Sequence, residues 1–223
     1  MIDAIAIDGP AGAGKSTVAR AVARKLGFTF LDTGAMYRCA ALAVVRRGVD
    51  AKDEAAVTKI AEQIAIHFEQ GEPQKVFLDE DDVTTEIRLE RIGDLASRVS
   101  VFRGVRMAMV RLQKVLAGGG RVVMEGRDTT TVVCPDARLK VFLTASADER
   151  ARRRVLELQA RGEDADFQTI RAEIVERDKR DSSREHSPLM IAPGAVVIET
   201  DEMSVNDVVD RVIEAYYAEG KSE

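Results

Sequence analysis

The chain has 223 residues, 45% hydrophobic and 32% charged, a composition that suits one soluble globular domain or one domain carrying insertions. Its formal net charge of −5 argues against a broad nucleic-acid or membrane-binding surface, which needs a basic excess. No apolar stretch reaches the roughly 18 residues needed to span a bilayer, and Met1-Ile2-Asp3 lacks the basic start and apolar core of a secretory signal, so a cytoplasmic location is expected.

Ala4-Ile5-Ala6-Ile7 is a short apolar run bounded by Asp8-Gly9-Pro10, which predicts a buried central strand. A helix should follow from about Lys15 to Leu26, with Val18, Val22 and Leu26 at four-residue spacing and Gly27 as its C-terminal cap. Phe28 to Leu31 reads as a second strand ending at Asp32-Thr33-Gly34, and a second helix from about Ala35 to Arg47 stops at Gly48. This order indicates an α/β fold with a central parallel sheet flanked by crossover helices.

The pattern changes after Asp50. Lys59 to Ile66 looks helical, although Ile64 to Phe68 alternates as a strand does. Gly71-Glu72-Pro73 is a turn signal, Val76-Phe77-Leu78 a short strand, and Asp79-Glu80-Asp81-Asp82 a solvated turn. That hairpin-like material suggests a small inserted lobe. One long helical region is expected from about Leu89 to Leu116, ending at Gly118-Gly119-Gly120.

The α/β rhythm then returns with Val122-Val123-Met124, which ends at Glu125-Gly126-Arg127-Asp128, and with Leu139 to Leu143. Ser146 reads as a helix cap, and the region from Asp148 to about Arg184 is dense in charges of both signs. Residues 170, 174 and 175 give its second helix a narrow apolar stripe. Val196 to Ile198 is a last strand and Val205 to Tyr217 a terminal helix. Cys39 and Cys134 show no metal-type spacing and are expected to be reduced and buried.

Gly9-Pro10-Ala11-Gly12-Ala13-Gly14-Lys15-Ser16, followed by Thr17, fits the phosphate-binding pattern Gly-x4-Gly-Lys-Ser/Thr without a mismatch. Consecutive backbone N–H groups must converge on phosphate oxygens there, and glycine permits both the dihedrals and the close approach. The following helix turns its positive end toward the anion. Lys15 then reaches the β- and γ-phosphates, and the Ser16 hydroxyl is placed to ligate Mg²⁺. A guanine-reading Asn-Lys-x-Asp motif is absent, which argues against a GTPase switch. Glu125 or Asp128 imitates the strand-ending acid of a motor or helicase, so that reading stays open.

The arginines favour a kinase. Arg38 and Arg127 follow strands whose carboxyl ends form the ligand edge of an open α/β sheet. With Arg177 and Arg184 they suit a second phosphate facing the nucleotide, since guanidinium forks hold phosphate bidentately and neutralise transferring charge. Arg150, Arg152, Arg153 and Arg154 should mostly form a solvated helix face, with one or two turned toward the phosphates, and Arg154 is the one assigned to ATP.

Gly9–Thr17, Leu31-Asp32-Thr33-Gly34-Ala35-Met36-Tyr37-Arg38, Gly126-Arg127-Asp128, Thr131-Val132-Val133, Pro135-Asp136-Ala137 and the segment from Arg177-Asp178 to Arg184 closely resemble the bacterial cytidylate kinases, nearly end to end and in the family's order. The resemblance implies a P-loop NTPase core, an inserted antiparallel substrate lobe and a short helical lid. It places the core at 1–36, 106–149 and 187–223, the nucleoside-monophosphate lobe at 37–105 and the lid at 150–186. It implies that Ser97, Arg106 and Asp128 face the cytosine, and that Thr33, Tyr37 and Arg38 surround the acceptor's phosphate and sugar. It also implies that Arg127, Arg177 and Arg184 clamp phosphates beside Lys15, and that Asp181 takes a ribose hydroxyl. Thr129-Thr130 departs from the family's usual apolar residue and glycine.

Cytosine presents an N4 donor with N3 and O2 acceptors, which matches a carboxylate beside an arginine and a serine. The expected reaction is transfer of the ATP γ-phosphoryl group to CMP or dCMP with Mg²⁺, by a monomer acting on free nucleotides rather than on nucleic acid or membrane. The rival readings are another small-molecule kinase of the same fold and a nucleotide-binding regulator without catalysis. Both histidines, His67 and His186, are expected to take no part.

Overall fold

The structure is a computed structural model that describes residues 2–219. In chain order it runs β1 (Ile2–Asp8), α1 (Lys15–Leu26), β2 (Thr29–Asp32), α2 (Thr33–Arg46), α3 (Glu54–Gln63), β3 (Ile66–Glu69), β4 (Lys75–Leu78) and β5 (Asp81–Asp82). A single 3-10 turn at Glu86–Arg88 leads into α4 (Glu90–Val99) and α5 (Arg103–Ala117). Then follow β6 (Val122–Gly126), a wide π-type turn at Thr129–Val133, β7 (Ala137–Thr144), α6 (Ala147–Ala160), α7 (Phe167–Ser182), β8 (Val196–Glu199) and α8 (Val205–Glu219). The chain divides into two compact units, Met1–Leu31 with Gly119–Glu223, and Asp32–Gly118.

The first unit carries a five-stranded sheet in the order β2-β6-β1-β7-β8. β1 lies at its centre, parallel to β6 on one side and to β7 on the other. Being covered on both faces, β1 reads as the continuous apolar run of a parallel strand rather than an alternating one. Ile5 and Ile7 join Val18, Val22, Val123, Val141, Leu143, Val209 and Val212 in one core, so α1 and α8 pack on the strands through their apolar stripes. Gly27 ends α1 in a left-handed conformation (φ 66°), returning its N–H to the Ala23 and Arg24 carbonyls, as a glycine cap does. The register sets Asp8 opposite Gly126 and Phe142. β1 and β6 therefore end level, while β7 runs on to Thr144, and the loop of Gly9 and the turn of Arg127 leave from the first two at the carboxyl edge of the sheet.

α6 and α7 form a hairpin in the same unit around Ala151, Leu158, Ile170 and Ile174. Val175, expected on that stripe, is 46% exposed. It follows Ile174 by only one residue and so turns about 100° away around the helix. Ser146 caps α6 by accepting from the Glu149 N–H, as its position suggested.

The second unit holds α2 to α5 and an antiparallel sheet in the order β3-β4-β5. Asp53 caps α3 by accepting from the Ala56 N–H, so the helix starts earlier than its apolar spacing indicated and ends at Gln63, before the alternating strand β3. The acidic run is more than a turn: Asp79 takes the left-handed region (φ 55°) and accepts from the Ala65 N–H, while Asp81 and Asp82 pair with Leu78 and Phe77. His67 stacks on Phe77 across the sheet.

The single helix expected from Leu89 to Leu116 is two. The Ser100 hydroxyl donates to the Ser97 carbonyl at 2.9 Å, and Phe102 is extended (φ −69°, ψ 126°). Serine competes with the helix for its own carbonyls and so favours such breaks. Cys39 and Cys134 are both buried and form no disulfide.

Candidate active site

The loop between β1 and α1 is shaped by its glycines. At Gly9 (φ 148°) a Cβ would stand 1.9 Å from the Leu143 carbonyl oxygen, so no other residue fits without moving the backbone of β7. Gly14 (φ 84°) takes the left-handed conformation at the N-terminus of α1, leaving the first N–H groups of that helix open to an anion.

Lys15 is buried, and its ammonium donates to the Pro10 carbonyl at 2.7 Å. Burial, then the neighbouring Arg127 and Arg177, push its pKa down to about 7, against the opposing pull of Glu125 and Asp8. A γ-phosphate would supply the anion that this cation lacks. The Ser16 hydroxyl donates to the carboxylate of Glu125, which is buried near the end of β6. These are hard oxygen donors, and Mg²⁺ keeps most of its waters and binds through one or two protein oxygens plus phosphates, so the pair fits that ion. Among the described residues no cluster of three or more His, Cys, Asp or Glu could hold a metal ion.

The turn after β6 carries Arg127, whose Nε donates to the Asp181 carboxylate at 3.0 Å. Arg184 lies 3.7 Å and Arg177 4.0 Å from the same carboxyl group. Asp181, 4% exposed, thus sits at the centre of three guanidiniums. Burial raises its pKa, but Arg127, Arg184 and Arg177 outweigh it and hold the carboxyl below its usual range. Three of the four residues read as phosphate clamps therefore meet at one carboxylate, with Lys15 in the field of two of them. Arg177 lies within α7. Arg154 pairs with Glu157 on α6 at 3.0 Å.

Arg150 departs from the reading of its neighbours as a solvated face. It is 4% exposed; it donates to the Ala145 and Ala11 carbonyls and forks onto both oxygens of Asp178, at 3.0 and 2.6 Å. One or two of the four arginines were expected to turn inward, but nothing in the sequence singled out Arg150 from Arg152, a surface residue paired with Glu149. Glu125 is the other partner that motif reading left unassigned, although its signal was present as a strand-ending acid.

In the other unit, α2 begins with Asp32 accepting from the Ala35 N–H and held by Arg88 at 2.8 Å. Thr33, buried, and Tyr37 follow on the same helix. Arg38 donates to the Ile87 carbonyl at 2.9 Å and lies so close to Gly93 that a Cβ there would be 2.6 Å from the guanidinium. Arg106 is 3% exposed, donates to the Ser100 carbonyl at 3.2 Å and lies over the Tyr37 ring at 5.3 Å. Ser97 is buried on α4. Within this unit Tyr37 and Arg106 are thus brought together, while Lys15, Arg127, Asp128, Arg177, Asp181 and Arg184 belong to the first unit.

A parallel sheet with the phosphate loop between its central strand and the next helix defines a P-loop NTPase fold. Solved structures share the fold: an uncharacterized protein from Eubacterium ventriosum aligns over 96% of this chain and 98% of its own (TM-score 0.55, 15% identity). A gluconokinase from Sinorhizobium meliloti aligns over 96% and 91% (TM-score 0.51, 14% identity). The family model described as cytidylate kinase matches residues 5–218. Cytidylate kinases from Caldanaerobacter subterraneus and Bacillus pumilus are each 48% identical, over 98% and 95% of this chain and 96% and 94% of theirs. The chain belongs to the cytidylate kinase family.

Proposed function

We propose that the chain transfers the γ-phosphoryl group of ATP to CMP or dCMP, giving CDP or dCDP and ADP. The observation that carries it is the buried Lys15 ammonium with its depressed pKa, beside an arginine cluster gathered on Asp181, in a member of this family. Such an array of positive groups suits two phosphates facing each other and has little use for one.

The acceptor is already an anion, so no strong general base is needed, and catalysis comes from positioning and positive charge. The loop from Gly9 to Thr17 takes the triphosphate through its N–H groups, and Lys15 neutralises charge on the transferring group. Arg127, Arg177 and Arg184 exchange part of their hold on Asp181 for phosphate oxygens, leaving that carboxylate open to a ribose hydroxyl. Arg154 takes ATP from α6. Ser16, with Glu125, would hold Mg²⁺, which would supply positive charge against the phosphates. The family pattern assigns the cytosine to Ser97, Arg106 and Asp128, and the acceptor's phosphate and sugar to Thr33, Tyr37 and Arg38. Uracil would turn its O4 acceptor against a carboxylate, a mismatch that discriminates more strongly than a missing methylene.

In this reading 37–105 is the acceptor lobe and 150–186 a lid that closes to keep water from the phosphate. The enzyme is a cytoplasmic monomer serving free nucleotides, consistent with its acidic balance and with no described helix being long and apolar enough to cross a membrane. The test is ADP release from purified protein and Mg-ATP across a panel of nucleoside monophosphates and sugar acids. CMP and dCMP should give the highest kcat/KM; a better acceptor outside the cytidine nucleotides would overturn the assignment, and no acceptor-dependent release would make the protein a binder.

A further inference from the structure

Asp8 closes β1, and its carboxylate is completely buried. Oδ1 accepts from the backbone N–H of Thr129 at 2.9 Å and from its hydroxyl at 2.7 Å. Oδ2 accepts from the N–H of Thr130 at 2.8 Å and from its hydroxyl at 2.6 Å. Both oxygens thus have two donors each, which uses the full acceptor capacity of an ionised carboxylate. All four donors come from the two residues that follow Asp128.

That turn is also closed on itself. The Asp128 carbonyl accepts from the N–H groups of Val132 and Val133, and the Thr129 carbonyl accepts from Cys134. On the other side Asp8 is followed by Gly9, whose backbone is wedged against Leu143. The carboxylate therefore joins two rigid segments, one leading into the phosphate loop and one carrying Arg127 and Asp128.

We infer that Asp8, Thr129 and Thr130 form a positioning clamp in which two threonine hydroxyls, beside two backbone N–H groups, hold a buried carboxylate and so fix the Arg127–Asp128 turn to the segment leading into the phosphate loop. The hydroxyls are the part particular to this chain, since a backbone N–H at either position needs no threonine. Burial pushes the Asp8 carboxyl up, and the four hydrogen bonds oppose it. Removing the hydroxyls takes away half of the donors that hold the two segments together. The clamp rests on the phosphoryl-transfer reading of the loop but not on the choice of acceptor.

The test replaces both threonines by valine, which keeps shape and backbone donors but removes the hydroxyls, with Thr129→Ser/Thr130→Ser as the matched control. Steady-state kinetics with Mg-ATP and the acceptor are read beside ADP affinity by calorimetry at a single pH. The valine pair should lower kcat/KM for the acceptor about tenfold, through the loosened Arg127–Asp128 turn, and weaken ADP by about threefold or less, because the N–H groups of the phosphate loop stay in place. The serine pair should follow wild type. No loss, a loss of ADP affinity as large as the loss in kcat/KM, or a serine pair as impaired as the valine pair overturns the clamp. If the double valine variant does not fold, Thr130→Val alone is read by the same comparison. Failure of the wild-type protein to bind ADP would instead tell against the phosphate loop, so the two readings fail separately.

Discussion

Lys15 places its ammonium on a neutral carbonyl in a fully buried setting, between two arginines and two carboxylates. A cation so placed costs the folded protein stability and is useful only if a stronger anion arrives. Replacing it with methionine, which matches its stem, separates the two effects. Lys15→Met should lower turnover at least about a thousandfold, the scale of losing a main charge-stabilising group, while raising the melting temperature of the nucleotide-free protein near pH 7. ADP-release kinetics and thermal melts check the pair, and unimpaired turnover would remove Lys15 from the mechanism. Glu125 gives a second prediction at this scale. Glu125→Gln keeps a partner for the Ser16 hydroxyl but loses the charge, so the Mg²⁺ concentration for half-maximal rate should rise about tenfold, with little change in melting temperature. An unchanged Mg²⁺ dependence would show that Ser16 needs no acid beside it. The loop itself was legible in sequence because its function is local: eight consecutive residues supply both the turn and the donors. The partner of Ser16 was harder to read, since Glu125 lies 109 residues away and only the β1–β6 pairing brings it near.

The same distinction holds for elements. α1 was readable to the residue because its stripe, its glycine N-terminus and its glycine cap all lie within the helix and its flanks. The break between α4 and α5 was missed because the apolar spacing continues through Ser100, where a side-chain hydrogen bond decides the outcome. Arg150 shows the limit most clearly. Four arginines within five residues of α6 look alike in sequence, yet Arg150 faces Ala11 and Asp178, which are 139 and 28 residues distant. It ties the α6–α7 hairpin to the phosphate loop, and its Cβ lies 3.1 Å from where a Cβ on Gly12 would be. Arg150→Met should cost about 3 kcal/mol of stability, because it leaves the Asp178 carboxylate partly buried without its fork, and should raise the KM for ATP more than it lowers kcat. Denaturant unfolding and steady-state kinetics test this together. Equal stability in Arg150→Met and wild type would mean the pair is only a surface contact.

At the scale of the whole molecule, the fold class was readable from the alternation of strands and helices, whereas in the region of the unit spanning Asp32–Gly118 the residues themselves showed a change of rhythm and hairpin-like strands after Asp50. What the molecule adds to its parts is electrostatic linkage, since each buried charge in the first unit responds to the others. Asp181 and Lys15 act at opposite ends of the pH scale. The Asp181 carboxyl lies below its usual range, so its contribution is present above the ordinary carboxylate pKa and lost as pH falls through the lowered one. Lys15 has the opposite sign. Its ordinary value of 10.5 falls to about 7 on folding, so between those two values the unfolded chain holds more protons than the folded one. Stability therefore rises with pH across that window, by about 2 kcal/mol from pH 7 to pH 9 for this one group. Other groups titrate too, so the measurement is the difference in unfolding free energy between wild type and Lys15→Met at pH 7 and pH 9. That difference should favour the variant at pH 7 and shrink at pH 9. Saturating ADP should flatten the dependence, because the bound phosphates keep the ammonium charged throughout. A difference independent of pH without nucleotide would show that Lys15 is an ordinary exposed amine, and with it would go the reason for calling this loop a site waiting for an anion.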